Sequence, residues 1–200
     1  NTLSLEQLNA AFRPLQPEQR IAELYRHFSP DQVMLTSSFA ATSAYLLHLV
    51  STCCPEQEIL FIDTKYHFKE TLTYKDYLTK IYGLNVQNVQ ATTDKHAFTS
   101  ANKTWLTDPN GCCAINKVEP LDAHKKTTHM DHGLMGWQSD HRKGLDIFED
   151  RGDIIKFYPL LDISREQREA YYKDHYLPFH PLQAKGYFSI GCSHCTQPGK

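Results

Sequence analysis

Hydrophobic positions along this chain alternate between two spacings, and the alternation itself predicts an architecture. Residues 32–37 (Gln-Val-Met-Leu-Thr-Ser) predict a buried strand, and residues 58–63 (Glu-Ile-Leu-Phe-Ile-Asp) and 84–90 predict a second and a third. Between them, residues 40–49 and 68–82 carry apolar positions at helical spacing, and Gly83 supplies a stop signal for the second. Ile21, Leu24, Tyr25 and Phe28 predict a helix before the first strand. Ser4-Leu-Glu-Gln7 and Ser164-Arg-Glu-Gln167 are capping-box patterns, the second opening a helix to about residue 175. Further on, residues 112–126 are compatible with a helix, 133–138 with a fourth strand and 154–158 with a fifth. Residues 91–111 are polar and turn-rich, which predicts a functional loop or a cover over a site. Strands alternating with helices predict an α/β fold: one domain over residues 1–200, a parallel sheet with right-handed crossovers, and an irregular C-terminal segment.

Composition narrows the function classes. The chain has 200 residues, 21 Lys and Arg against 23 Asp and Glu, and a formal net charge of −2. Nothing in that balance points to nucleic acid. No apolar run approaches the roughly 20 residues of a membrane span, and the first residues lack the basic-then-apolar order of a secretory signal. The expectation is a soluble, cytoplasmic protein with no nucleic-acid or membrane partner; a homo-oligomer is neither required nor excluded.

The segment Leu35-Thr-Ser-Ser-Phe-Ala-Ala-Thr-Ser43 runs from strand into helix. Ligands of open parallel sheets bind at the carboxyl ends of strands, and a helix N-terminus there favours anions. Hydroxyls of Thr36, Ser37, Ser38 and Thr42 add donors, which suits a phosphate or sulfate. A plain hydroxyl helix cap is the equally weighted alternative. The lack of Gly-Lys-Ser/Thr removes the Walker loop, and the lack of Gly-x-Gly-x-x-Gly removes the dinucleotide fingerprint. Asp63 and Thr64, closing the second strand, fall at the same sheet edge, where an acid can accept hydrogen bonds from ribose hydroxyls or simply cap a turn.

Six cysteines fall as Cys53-Cys54, Cys112-Cys113 and Cys192-Ser-His-Cys195. The last two pairs together suit zinc or an iron–sulfur cluster. A dithiol redox pair or buried thiols without metal are the alternatives. Adjacent ligands are unusual for zinc and fit a larger cluster. Cys53-Cys54 precedes Pro55 at a helix end and reads as structural.

Combined, these motifs make the chain resemble the assimilatory sulfonucleotide reductases, which reduce adenylyl sulfate or phosphoadenylyl sulfate. The similarity runs from about residue 30 to 200. Ser37-Ser-Phe-Ala resembles the family's modified PP-loop, and Phe61-Ile-Asp-Thr-Lys-Tyr-His-Phe-Lys-Glu-Thr71 its second substrate segment. Cys112-Cys-Ala-Ile-Asn-Lys-Val-Glu-Pro-Leu121 resembles its double-cysteine helix. Ile155-Lys-Phe-Tyr-Pro-Leu160, Leu177-Pro-Phe-His-Pro-Leu182 and Gly186-Tyr-Phe-Ser-Ile-Gly-Cys-Ser-His-Cys-Thr196 resemble later landmarks. The resemblance implies a PP-loop fold like that of the adenine nucleotide α-hydrolases. It implies a [4Fe-4S] cluster on Cys112, Cys113, Cys192 and Cys195. It also implies a substrate site including Ser37, Ser38, Phe39, Asp63, Thr64, Lys117, Gly136 and Arg142. Adenylyl sulfate is the expected substrate, since the four-cysteine set goes with it; phosphoadenylyl sulfate is the alternative. The implied partner is thioredoxin or a similar dithiol. The implied nucleophile is a cysteine in a C-terminal Glu-Cys-Gly-Leu/Ile-His motif, expected beyond Lys200.

Departures from the family pattern are informative. Asn116 stands where arginine is common, Ala40 where glycine is common, and Arg142 takes the anion-binding arginine's role only with a shifted register. Trp137 reads as packing, His175 as a helix-dipole partner, His180 as part of a turn, His194 as a donor to a cluster sulfur and His67 as a residue of the substrate edge. Two other functions remain. An ATP-dependent PP-loop enzyme would need Ser-Gly-Gly-x-Asp-Ser, which residues 37–43 lack. A zinc-stabilised nucleotide-binding module without chemistry would need only the four thiols.

Overall fold

A computed structural model describes residues 3–124, 128–130 and 144–199, with only the backbone path given for 128–130. Helices α1 (Leu5–Phe12) and α2 (Pro17–His27) lead into strand β1 (Val33–Ser37). Ser4 and Gln7 form the expected reciprocal cap on α1. Helix α3 (Ser43–Cys53), strand β2 (Glu58–Ile62), helix α4 (Lys69–Tyr82) and strand β3 (Asn85–Val89) follow. Gly83 closes α4 at φ +62°, a conformation open to glycine at little cost. These three strands fall within the predicted ranges.

Two stretches depart from expectation. The predicted loop over 91–111 is largely helical: α5 (Thr93–Ala101), α6 (Thr104–Thr107) and the start of α7 (Pro109–Cys113). Helix α5 buries only Thr99 among its residues, so no apolar periodicity marks it in the sequence. The predicted helix over 112–126 is broken into α7, a π-turn over Ala114–Val118 and α8 (Glu119–Asp122). Pro120 explains the break, since it has no N–H to give the carbonyl four residues back and its ring crowds that carbonyl. Such π-turns recur at functional sites.

Strand β4 (Thr128–Met130) pairs with β1, whereas the fourth strand expected at 133–138 lies outside the described residues. Strand β5 (Phe148–Asp150), not anticipated, forms an antiparallel hairpin with β6 (Ile155–Phe157), which falls within the predicted fifth strand. Helix α9 (Arg165–Asp174) opens at the predicted Ser164 cap. Beyond it the chain is irregular apart from a 3-10 turn over Pro181–Lys185.

The sheet order is β3-β2-β1-β4-β6-β5, parallel except for edge strand β5. Asn9 of α1 covers that edge: its amide donates to the Phe148 carbonyl at 3.2 Å and accepts from the Phe148 N–H at 2.7 Å. An open edge is thereby removed from solvent. The core gathers Leu24, Val33, Leu35, Leu46, Phe61, Leu78, Phe157 and Leu160 between sheet and helices. The chain passes from β1 to β2 and β3 on one side and to β4 on the other. The topological switch, where ligands of such sheets bind, therefore lies at the carboxyl end of β1. Among the described residues no helix is long and apolar enough to cross a membrane.

Candidate functional site

The loop leaving β1 forms the first wall. Phe39 takes φ +51°, a left-handed conformation that costs a non-glycine residue energy and persists only where surroundings enforce it. The enforcement is visible: the Phe39 ring is fully buried and meets Phe61 edge-on, with centroids 5.7 Å apart. The Ser37 hydroxyl accepts from the Phe39 N–H at 3.1 Å. Ser37 is buried and Ser38 exposed, and α3 begins at Ser43 rather than at residue 40. The residue that takes the left-handed turn is thus Phe39, while Ala40 is not among the positive-φ residues.

This wall is suited to an anion. The Ser43 hydroxyl, in the first turn of α3, is fully buried and has no hydrogen-bond partner among the described residues. Behind the loop, Arg168 Nη2 and the Tyr172 hydroxyl both donate to the Ala41 carbonyl at 3.4 Å. Burial pushes the Tyr172 phenol up, while Arg168 and the Tyr45 and Ala44 amides act in the opposite sense. The guanidinium and the first amides of α3 thus present positive potential behind the loop.

The end of β2 joins this wall to a second one. Asp63 accepts from the Lys65 N–H at 2.8 Å, closing a tight turn in which Lys65 takes φ +61°. Thr64 turns inward, 1% exposed, with its hydroxyl 3.2 Å from Cys192 Sγ. Because Thr64 Oγ1 already accepts from the Tyr66 N–H, its own hydrogen is available to the sulfur. Backbone contacts repeat the link: the Ser193 N–H donates to the Tyr66 carbonyl at 2.6 Å, and His67 bridges to Cys192. His67 Nε2 lies 3.0 Å from the Ile62 carbonyl and donates to it. Burial lowers the His67 pKa, with Lys117 and Lys75 adding to that effect and the Ile62 carbonyl and Asp63 opposing it.

The second wall is a small open cavity lined by all four predicted ligand cysteines together with Thr64, Tyr66, Trp105, Asn116, Lys117 and His194. Cys112 and Cys192 are buried, Cys113 is half-buried and Cys195 exposed. Thus α7 and the C-terminal segment, far apart in sequence, present two thiols each to one space. Trp105 and His194 rings stack 4.1 Å apart at 7°, and Tyr66 meets both. Burial raises the Cys112 thiol; the Asn116 amide lowers it, and Cys113, Cys192 and Cys195 raise it further. Burial raises Cys195 too, then Cys192 and Cys113, against Lys117. Burial and mutual repulsion thus favour the thiol form, and a multivalent cation bound in the cavity would favour the thiolates. Among the described residues no three or more His, Cys, Asp or Glu side chains form a group that could hold a metal ion.

The sequence-predicted residues thus separate into three sets. Ser37, Ser38 and Phe39 form the first wall, where Phe39 offers backbone only because its ring is in the core. Asp63 marks the junction. Thr64 and Lys117 line the cysteine cavity with Cys112, Cys113, Cys192 and Cys195. Gly136, Trp137 and Arg142 lie outside the described residues. Cys53 is exposed and Cys54 buried beside Tyr25 and Gln57, apart from this site; burial pushes the Cys54 thiol up to about 11. His180 takes its expected place in a turn, accepting from the Leu182 N–H at 3.1 Å. Tyr66, Trp105 and Ser43 are site residues that the sequence patterns do not single out. Aromatic and hydroxyl residues carry no spacing signal, and Trp105 sits in the stretch expected to be loop.

Comparison with known proteins points in one direction. A family profile described as "Phosphoadenosine phosphosulfate reductase domain" matches residues 32–198. A phosphoadenosine 5'-phosphosulfate reductase of Thiocapsa roseopersicina is 32% identical over 98% of this chain and 84% of its own length. An adenosine 5'-phosphosulfate reductase of Mesorhizobium japonicum is 34% identical over 96% and 76%. Among solved structures, the phosphoadenylyl-sulfate reductase of Candida auris superposes with a TM-score of 0.80 at 22% identity, covering 98% of this chain and 99% of that one. The FMN adenylyltransferase of Candida glabrata follows at 0.61 and 15% identity, over 98% and 68%. At these identities the structural matches speak to the fold, which they identify as that of PP-loop proteins.

Proposed function

The chain belongs to the phosphoadenosine phosphosulfate reductase family, and from that premise we propose that it reduces adenylyl sulfate to sulfite and AMP with a [4Fe-4S] cluster on Cys112, Cys113, Cys192 and Cys195. Reduction of a sulfonucleotide in sulfate assimilation is the activity common to its reductase relatives. The choice of adenylyl sulfate rests on one observation: two thiol pairs from distant segments share a cavity beside the carboxyl edge of the sheet.

Two features support the cluster over zinc. Adjacent ligands such as Cys112-Cys113 are unusual for a single zinc and suit a larger cluster. A set of four cysteine thiolates is also the usual donor set of a [4Fe-4S] cluster, and all four line one cavity. When bound, the cluster would supply local electrostatics beside the sulfonyl group rather than a store of electrons.

The chain's own residues do the rest. The α3 N-terminus and the Ser43 hydroxyl receive the anionic end of the nucleotide, while Lys117 supplies a cation from the lining of the cysteine cavity. As the family resemblance implies, a cysteine thiolate attacks the sulfonyl sulfur. The bond from sulfur to the phosphate oxygen breaks, AMP leaves with that electron pair, and S-sulfocysteine forms. Thioredoxin or a similar dithiol supplies the two electrons. Its thiolate attacks the cysteine sulfur, sulfite leaves, and the second thiol resolves the mixed disulfide.

Anaerobically purified protein should hold about four irons and four sulfides per chain and turn over adenylyl sulfate faster than its 3'-phosphorylated form. One zinc without sulfide would favour the nucleotide-binding module. A full cluster with preference for phosphoadenylyl sulfate would keep the cofactor and replace the substrate.

A further inference from the structure

Asn116 is the most heavily engaged side chain of the cysteine cavity, and its hydrogen atoms can be assigned. The residue is 1% exposed. Its Nδ2 lies 3.0 Å from the Cys112 carbonyl, 3.6 Å from Cys112 Sγ and 3.2 Å from Thr99 Oγ1. The carbonyl can only accept, so the nitrogen faces Cys112. Oδ1 therefore faces His96 Nδ1 at 3.2 Å, and that ring nitrogen carries the proton. His96 Nε2 is then an acceptor, with the Ser100 hydroxyl 3.4 Å from it and 3.0 Å from the Tyr66 hydroxyl. Thr99 donates to the His96 carbonyl at 2.8 Å, so its oxygen accepts from Asn116 and from Tyr66, whose hydroxyl lies 2.8 Å away. The directions at Asn116, His96 Nδ1 and Thr99 are thereby fixed.

The amide has two hydrogens and three acceptors. One goes to Thr99; the other is shared between the backbone oxygen and the sulfur of Cys112. The π-turn over Ala114–Val118 keeps this side chain against Cys112 while Lys117, one residue on, lines the cavity. Hydrogen bonds to ligand sulfurs withdraw electron density from the iron–sulfur bond and help set cluster potentials.

We propose that Asn116 is a positioning residue that orients Cys112 and donates a hydrogen bond to its sulfur, fixing the strength of that iron–thiolate bond. The inference rests on the cluster assigned under the proposed function. Asn116→Asp keeps the shape and replaces the donor by an acceptor. His96→Phe leaves the amide but frees its far end. Both proteins are prepared anaerobically beside the unmodified protein, and iron, sulfide and zinc are measured first. Zinc without sulfide in the unmodified protein removes the cluster and this inference with it, before any variant is read.

With a cluster present, Asn116→Asp should lose iron to a ferrous chelator about 10-fold faster. Its iron–cysteine stretch should move to higher frequency in resonance Raman spectra, and its midpoint potential should fall. His96→Phe should move all three the same way by less. A residue serving only to pack the helix would change unfolding and leave the stretch in place. Unmodified release and an unmodified stretch in folded Asn116→Asp overturn the proposal. If that variant does not fold, the same two null results in His96→Phe overturn it, and a shift in both supports it.

Discussion

The two walls of the site are held by different forces. The β1–α3 loop is fixed from behind by the core: Phe39, fully buried against Phe61, holds a left-handed backbone. The cysteine cavity has little apolar support. Its buried residues Tyr66, Cys112 and Cys192 form a small cluster with Trp105, separate from the main core, and directed hydrogen bonds from Thr64 and Asn116 place the sulfurs. A core-backed wall fails with the fold, whereas a hydrogen-bonded wall can fail alone. An anion loop needs one rigid backbone shape, while a thiol cavity needs four side chains in register.

The largest effect should come from Phe39→Ala. Emptying a fully buried aromatic site costs about 3–5 kcal/mol, read as a fall in the urea midpoint at constant slope. Metal content per folded chain should stay near its unmodified value. Equal loss of metal and stability would show that the walls are one unit.

Acid tests the opposite wall. His180 pins the C-terminal segment to α4, with Nδ1 accepting from Leu182 and Nε2–H donating to Thr71 Oγ1 at 2.9 Å. Burial lowers its pKa from 6.5 to about 4, against a small opposing effect of Glu70. Between those values the unfolded chain binds the proton and the folded chain does not. Stability is therefore present above 6.5, falls as pH drops toward 4 and levels below it. The full loss is about 3 kcal/mol. His180→Gln should remove this part of the pH slope. An unchanged slope across pH 6.5 to 4 would take His180 out of the account.

Lys117→Ala should leave folding intact, because the side chain lies in the cavity wall and outside the core. Loss of one charge-assisted bond costs about 1.5–3 kcal/mol, roughly 10- to 100-fold in sulfonucleotide affinity. Titration calorimetry with adenylyl sulfate would decide it, and equal affinities would remove Lys117 from the substrate site.

Legibility followed the same division. β1, β2, α4 and α9 were readable because each buries an apolar face or carries a cap, and the positions of Ser37 and Asp63 followed from strand ends. The cavity's ligands were recognisable from the paired cysteines, but its scaffold was not. Helix α5 turns a polar face inward, where His96 and Thr99 bond to Asn116, so hydrophobic periodicity passes over it. Asn116 was visible only as an exception to the usual arginine. Edge strand β5 escaped because it has three residues and is covered by a side-chain amide of α1.

The smallest effect is the most discriminating. Ser43 has a buried hydroxyl with no hydrogen-bond partner among the described residues, and such a group costs about 1–3 kcal/mol of desolvation. Ser43→Ala should therefore leave stability unchanged or raise it by about 1 kcal/mol, in contrast to the usual penalty for a core substitution. If the hydroxyl is kept for the nucleotide's anion, the same change should weaken AMP and adenylyl sulfate binding several-fold. Opposite signs in unfolding and binding are what a donor reserved for ligand requires. A variant that loses stability and keeps its affinity would make Ser43 part of the core instead, and the first wall would then have to bind its anion through backbone amides alone.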